Sequence, residues 1–444
     1  MREYLVLQDE EWNGEFFAPG HYEKRFSGLL KYSPRKGICL QFRLTGEGFP
    51  QECNLLHGTV GKGDRCSLLG PFSPYVHGVS SMGSGARVWN GEHYFSTLIF
   101  GDWIAPTETF SFVNTTFPNL QNFFVPGGNE FSTSIADLPF QFVETEFGRI
   151  QLGTSESLLS IGTKLSDRLH SEDAAAATEL DQMFRKIRDK FPQSPFMWKQ
   201  RVDYCLHFGF RDPTDAIQAV RRVFGLAEMF AILTFQPTYP MSIRLHQQAD
   251  DGTIKSFDVF PALYLEARTI DLANDRRSHF TMPITGKNID LAKAIEQWFP
   301  QRRDFSTIVA ALQHDTGFGT EHSLHGDILL YVSQLEEISR KRGMPYEKRY
   351  ELAISDIAND RVLARLRMIF AAKDEADLGV AVGDLRNEIA HLGRPKPLLA
   401  TLSIDELGRI AALLRCLVLS HVLISIGVSK PLTHAYQDWI SLDA

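Results

Sequence analysis

Arg386, Asn387 and His391 fall within the run Arg386-Asn387-Glu388-Ile389-Ala390-His391-Leu392-Gly393, near the end of a 444-residue chain. A guanidinium holds a phosphate through charge-assisted hydrogen bonds. An imidazole moves protons near neutral pH, and the amide between them orients one or the other. These groups suit metal-free cleavage of RNA, in which the RNA's own 2′-hydroxyl attacks the phosphate. That reaction needs a base, an acid and stabilisation of the charged phosphorane. Arg386, Asn387 and His391 are therefore the candidate catalytic residues, and this chemistry requires neither a metal nor a cofactor.

A helix must present them. At 100° per residue, Leu378, Val382, Leu385, Ile389 and Leu392 share one face and form a core stripe. Val380, Gly383, Asn387, Ala390 and His391 share the opposite face, whose residues are small apart from the amide and the imidazole. Arg386 lies at the edge between the two, and Glu388 points toward the core edge, where it has no evident role. A helix that is apolar on one side and small on the other can be packed on both. The natural partner for the second face is the same helix of another copy across a two-fold axis. Such a homodimer supplies the two histidines that an acid and a base require. Gly393 is expected to end the helix and Pro395 to prevent its return.

The surroundings read as a helical bundle from about Ile289 onward. Leu324, Ile328, Tyr331, Leu335 and Ile338 form one stripe, closed by Arg340-Lys341-Arg342-Gly343, as suits a helix C-terminus. Glu351 to Phe370 reads as a second helical stretch and Ile404 to Ile426 as a long apolar last helix. Ile410 to Val428 is the only membrane-like stretch. Arg415 and His421 interrupt it and would be costly in lipid, so it is expected at the centre of the bundle.

The chain is too long for one core. Residues 1–155 read as β-rich. Phe26, Gly28, Leu30 and Tyr32 alternate, a turn follows at Ser33-Pro34-Arg35-Lys36-Gly37, and Ile38, Leu40, Phe42 and Leu44 resume the alternation: a hairpin with one buried face. Leu55 to Val60 and Cys66 to Leu69 predict another hairpin. Phe95 to Phe100, Thr109 to Val113 and Gln141 to Glu144 add strands, together a sandwich or a curved sheet. Residues 156–285 read as mixed α+β. Leu180, Phe184, Ile187 and Phe191 make a helix stripe, Asp212-Pro213 a helix start continued by Ile217, Val220, Phe224 and Ala227, and Ser242 to Leu245 and Ser256 to Leu263 strands. Residues 286–444 are the bundle. The fold class is thus multidomain α+β: a β-rich sandwich-like front, a mixed α+β middle and an all-α end.

The net charge of −8 argues against a protein that coats nucleic acid through bulk electrostatics. From Gly286 onward, 19 Lys and Arg face 21 Asp and Glu, so RNA recognition must be local. Five scattered cysteines without a CxxC pair disfavour a disulfide framework or a cysteine zinc site and fit a reducing compartment. The N-terminus lacks an apolar signal segment, and a cytoplasmic protein without membrane contact is expected. Other signals carry less. His322 and His325 form HxxH at a helix start, Gly83-Ser84-Gly85 reads as a plain turn, and His421 as a core histidine. Arg302-Arg303, Arg340-Lys341-Arg342 and Arg365 with Arg367 read as solvated ends or faces.

Arg386-Asn387-x-x-x-His391 within a C-terminal bundle resembles the RNxxxH signature of HEPN ribonucleases, and its spacing lies within that family's range. The front of the chain resembles the N-terminal domain of the ApeA family of antiphage defence proteins, which end in a HEPN domain. That resemblance rests on Phe26-Ser27-Gly28-Leu29-Leu30-Lys31-Tyr32-Ser33-Pro34, on Gly37-Ile38-Cys39-Leu40 and on Leu56-His57-Gly58-Thr59-Val60. Together the resemblances imply a metal-independent endoribonuclease that dimerises through its HEPN bundle. It would abort infection by cutting host RNA, often tRNA, once a phage-derived trigger is sensed. The competing reading is a non-catalytic helical module for dimerisation or nucleotide binding, attached to a ligand-sensing β domain.

Overall fold

The computed structural model describes residues 5–45, 52–73, 76–81, 87–105, 107–124, 142–160, 165, 173–192, 197–248, 251–314, 319–373, 377–391, 393 and 395–441. Its strands are β1 (Glu10–Phe17), β2 (Phe26–Ser33), β3 (Gly37–Thr45), β4 (Cys53–Val60), β5 (Asp64–Phe72), β6 (Val76–Ser81), β7 (Arg87–Phe95), β8 (Thr97–Phe100), β9 (Phe110–Thr116), β10 (Phe142–Thr145), β11 (Gly148–Ser160), β12 (Met197–Thr214), β13 (Ser242–Gln248) and β14 (Ile254–Pro261). The helices are α1 (Leu120–Phe124), α2 (Ala174–Lys190), α3 (Ala216–Thr234), α4 (Ala267–Asn274), α5 (Leu291–Gln313), α6 (Glu321–Lys341), α7 (Arg349–Ser355), α8 (Asp360–Ala371), α9 (Leu378–Ala390), α10 (Ile404–Ser425) and α11 (Lys430–Ser441). A β-sheet-rich N-terminal region is thus followed by many helices, a multidomain α+β layout.

Both expected hairpins form, β2 with β3 and β4 with β5. Phe26, Leu30, Tyr32, Ile38, Leu40, Phe42 and Leu44 are buried, because a period of two puts them all on one face. The curved-sheet alternative is the one observed. All fourteen strands join one antiparallel sheet in the order β10-β11-β12-β9-β13-β14-β8-β5-β4-β1-β2-β3-β7-β6. Its second half curls until β7 returns beside β5, where the Ser96 N–H donates to the Leu69 carbonyl at 3.0 Å. Inside the curl, the Phe72 ring lies 5.9 Å from Phe26, 5.7 Å from Phe42 and 6.1 Å from Phe95. Gly14, Gly28 and Gly91 stand in one row with Phe42 across β1, β2, β7 and β3. A Cβ on Gly91 would sit 2.3 Å from the Phe42 ring, so the missing side chain makes room for the aromatic core.

The other half of the sheet combines distant stretches of the chain. β9 lies between β12 and β13, and β11 runs through residue 155 while pairing along β12. Gln141 and Gly83-Ser84-Gly85 lie outside the described residues. The expected helix start at Asp212-Pro213 is not one. Those residues continue β12 through an irregularity between Gly209 and Thr214, where a proline costs no ladder hydrogen bond. Asp215 caps α3 instead, accepting the Gln218 N–H. The stripe of α2 forms, but only Phe184 is buried; Leu180, Ile187 and Phe191 are exposed.

α3 is apolar nearly all round and is buried between the sheet and the bundle. The Trp298 indole of α5 donates to the Gly225 carbonyl at 2.7 Å. Arg302 grips the Glu228 carboxylate through Nε and Nη2 at 2.5 and 2.8 Å. Beyond α3, the Gln313 amide exchanges two 2.7 Å hydrogen bonds with the Thr238 backbone, and the Tyr436 hydroxyl donates to the Ile232 carbonyl at 2.8 Å.

In the bundle, the α6 stripe is buried as expected, and Gly343 (φ +68°) follows its end. The stretch Glu351 to Phe370 is two helices rather than one. Asn359 breaks it, because its side chain caps α8 through the Val362 N–H while its own N–H donates to Gln437. α10 is not the last helix; α11 packs back against it. α10 is long and apolar enough to cross a membrane, but 72% of its most apolar stretch is buried within the protein. Burial lowers the His421 imidazole to about 4, and its Nε2 meets the Ala353 carbonyl at 2.7 Å.

Replacing Gly91 with alanine pushes into the Phe42 ring and should cost about 2 kcal/mol in urea unfolding. His421, and His246 likewise lowered to about 4 by burial, are neutral in the fold. Between pH ~6.5 and 4 the unfolded chain binds more protons than the native one. Stability is therefore full above ~6.5 and falls as pH drops toward 4, by on the order of 3 kcal/mol per histidine. Urea titrations across that range should show the decline, and His421→Gln should remove about half of it.

Candidate active site

The motif residues stand on α9. Asp377 caps it by accepting the Val380 N–H at 3.1 Å. Ala381, Val382 and Leu385 anchor it in the core, Leu378 and Ile389 are half-buried, and Leu392 lies outside the described residues. α9 packs against α6, α7 and α8. Glycines bring α7 close: a Cβ on Gly379 would lie 2.9 Å from the Glu351 Cβ and 3.0 Å from its backbone nitrogen, and one on Gly383 would lie 3.2 Å from the Tyr350 ring.

The small-residue face is therefore shared. Tyr350 of the same chain covers Gly383, while Val380, Ala390 and His391 are exposed and Asn387 is half-buried. Asp384 is exposed on the same side.

The structure brings Arg386 and Asn387 together: the guanidinium Nη1 donates to the amide Oδ1 at 3.2 Å. Arg386 is half-buried, and its Nε meets no acceptor among the described residues. His391 is not joined to that pair through its side chain. The helix ends at Ala390, and His391 is the capping residue, with extended backbone (φ −111°, ψ 104°) and its N–H on the Asn387 carbonyl at 3.0 Å. The stop thus precedes the expected Gly393. Glu388, in the last turn, is buried, and its carboxylate accepts the N–H groups of Leu398 at 3.2 Å and Leu399 at 2.7 Å, which holds those two residues against α9.

Beside the motif, the Tyr350 hydroxyl donates to Glu336 at 3.0 Å, and Arg349 pairs with the same carboxylate at 3.2 Å. Burial first, with Glu336 adding to it, raises the Tyr350 phenol above its ordinary range. Sequence reasoning missed this cluster, which only helix packing assembles. It also left Glu388 without a role, although an acid among core positions was a legible sign of a buried partner. Within the basic clusters, Arg302 is held by Glu228, Arg340 by Glu337, Lys341 by Asp304 at 2.6 Å, Arg342 by Asp356 and Arg365 by the Ser441 carbonyl. His322 and His325 sit in the first turns of α6. Among the described residues, no three His, Cys, Asp or Glu side chains group as a metal site would require.

Comparison with known proteins places a family on the sheet rather than on the helices. Residues 11–157 match the family model described as ApeA N-terminal domain 1, which supports an ApeA-like antiphage defence protein. No curated protein and no solved structure matches the chain.

Gly379→Leu drives a side chain into the Glu351 backbone. It should lower stability by about 1–3 kcal/mol in urea unfolding, more than the same change at the open Gly408 of α10.

Proposed function

We propose that this chain is a metal-independent endoribonuclease of antiphage defence, active in the cytoplasm, whose site is built from Arg386, Asn387 and His391 of two copies. The observation that carries the reading is the Arg386–Asn387 pair at 3.2 Å, one helical turn before an exposed His391 at the end of a bundle helix. The ApeA N-terminal match at residues 11–157 supports the defence role independently.

Arg386, oriented by the Asn387 amide, holds the scissile phosphate and stabilises the phosphorane. One His391 takes the proton from the 2′-hydroxyl as its oxygen attacks phosphorus. The His391 of the second copy gives a proton to the departing 5′-oxygen. The products are a 2′,3′-cyclic phosphate and a 5′-hydroxyl. The substrate is host RNA, with tRNA a candidate, and cleavage follows sensing of a phage-derived trigger. Val380, Ala390 and His391, exposed along α9, offer the surface across which a second copy brings its motif.

Cells expressing the wild-type chain should stop growing under phage challenge and accumulate cleaved RNA, whereas His391→Ala should do neither. The purified protein should cut RNA equally well with and without EDTA, and Arg386→Ala should slow the reaction by a hundredfold or more. Equal harmlessness of wild type and His391→Ala, with no cleavage by either, sinks the proposal. A requirement for a divalent ion, or ends other than the cyclic phosphate, sinks the mechanism.

A further inference from the structure

Glu388 stands inside the motif, between Asn387 and His391, yet its side chain faces away from solvent and is only 8% exposed. A carboxylate is poorly placed there. The last turn of a helix carries partial negative charge, and burying a charge is costly unless hydrogen bonds replace water. Two backbone amides do so: Leu398 N–H at 3.2 Å to Oε1 and Leu399 N–H at 2.7 Å to Oε2.

Those amides open the short 3-10 turn Leu399–Thr401, whose far end is held too. Lys373 donates to the Thr401 carbonyl at 2.8 Å and pairs with Glu406 at 3.3 Å. His391 and Leu398 are therefore both bonded to α9, through the Asn387 carbonyl and the Glu388 carboxylate. The chain leaves α9 at His391 and is bonded to Glu388 again at Leu398, seven residues later, with Pro395 and Pro397 restricting the backbone before it.

We infer that Glu388 is the positioning residue that sets where His391 is presented, by clamping the returning loop beneath the helix. A neutral apolar residue at this buried position would suit the core better. What the carboxylate adds is a pair of directional bonds to the segment that begins at His391.

The inference rests on the nuclease reading for its consequence, but not for its geometry, and the two are tested separately. In the full-length protein labelled at histidine, the His391 imidazole signal, identified by its loss in His391→Ala, should shift or broaden in Glu388→Ala. Hydrogen exchange at the Leu398 and Leu399 amides should quicken at least tenfold. Glu388→Gln keeps one acceptor and should lie between wild type and Glu388→Ala in both measurements. In RNA cleavage, Glu388→Ala should lower kcat about tenfold or more with KM within twofold, because Arg386 still binds the phosphate. Unchanged exchange and an unmoved imidazole signal overturn the clamp whether or not the protein cuts RNA. A released loop with kcat within twofold of wild type overturns the positioning role. A wild-type protein that cuts no RNA counts against the nuclease reading alone, since the amide and imidazole measurements still decide whether Glu388 holds His391.

Discussion

Burial of α3 on both of its sides is the constraint on which the rest of the structure depends. One side lies on the sheet at β9 and β13, the other against α5 and α10. Ala219, Val223, Leu226, Ala227, Met229, Ala231, Ile232 and Leu233 are all fully buried. An element apolar nearly all round has no stable place at a surface. The sheet and the bundle therefore share one hydrophobic core through it. Polar contacts around α3 fix its orientation: the Trp298 indole on the Gly225 carbonyl and the Arg302 fork on Glu228. Breaking one side of such a pair leaves a desolvated group behind, which costs more than the bond itself contributes.

From that junction the order of packing leads outward to the motif. α10 contacts α3 and α5 as well as α6 and α8. Its His421 meets the Ala353 carbonyl of α7, and α7 lies against α9 at Gly379 and Gly383. Each step is a close contact between rigid elements. The position of Arg386 and Asn387 thus follows from the whole bundle rather than from α9 alone. The residues that match the ApeA domain end within β11, which pairs along β12, and β12 leads directly into α3.

Much of this was legible in the residues. The two hairpins and the α6 stripe follow from local periodicity, because side chains two apart on a strand or three to four apart on a helix share a face whatever surrounds them. The motif was legible as chemistry for the same reason: Arg386, Asn387 and Glu388 are helical, and their neighbours on the wheel are local. Where the reading failed, a distant partner decided. Asp212-Pro213 has the composition of a helix start, but its chain is still part of β12, and Asp215 is the cap. Asn359 within Glu351 to Phe370 can cap a helix or continue one, and it caps α8 where the distant Gln437 accepts its N–H.

By itself, the sequence determined the two hairpins, the buried stripe of α6 and the set of groups that Arg386, Asn387 and His391 bring, since these depend on side-chain chemistry and local period alone. The tertiary structure decided that fourteen strands make one curling sheet, that β9 lies between β12 and β13, and that Tyr350 takes part of the small-residue face of α9. It also decided that α9 stops at Ala390 and that the carboxylate of Glu388 finds its amides ten and eleven residues ahead. Hydrogen bonds and close packing between residues far apart in the chain carry no periodic trace in it, so only the folded arrangement reveals them.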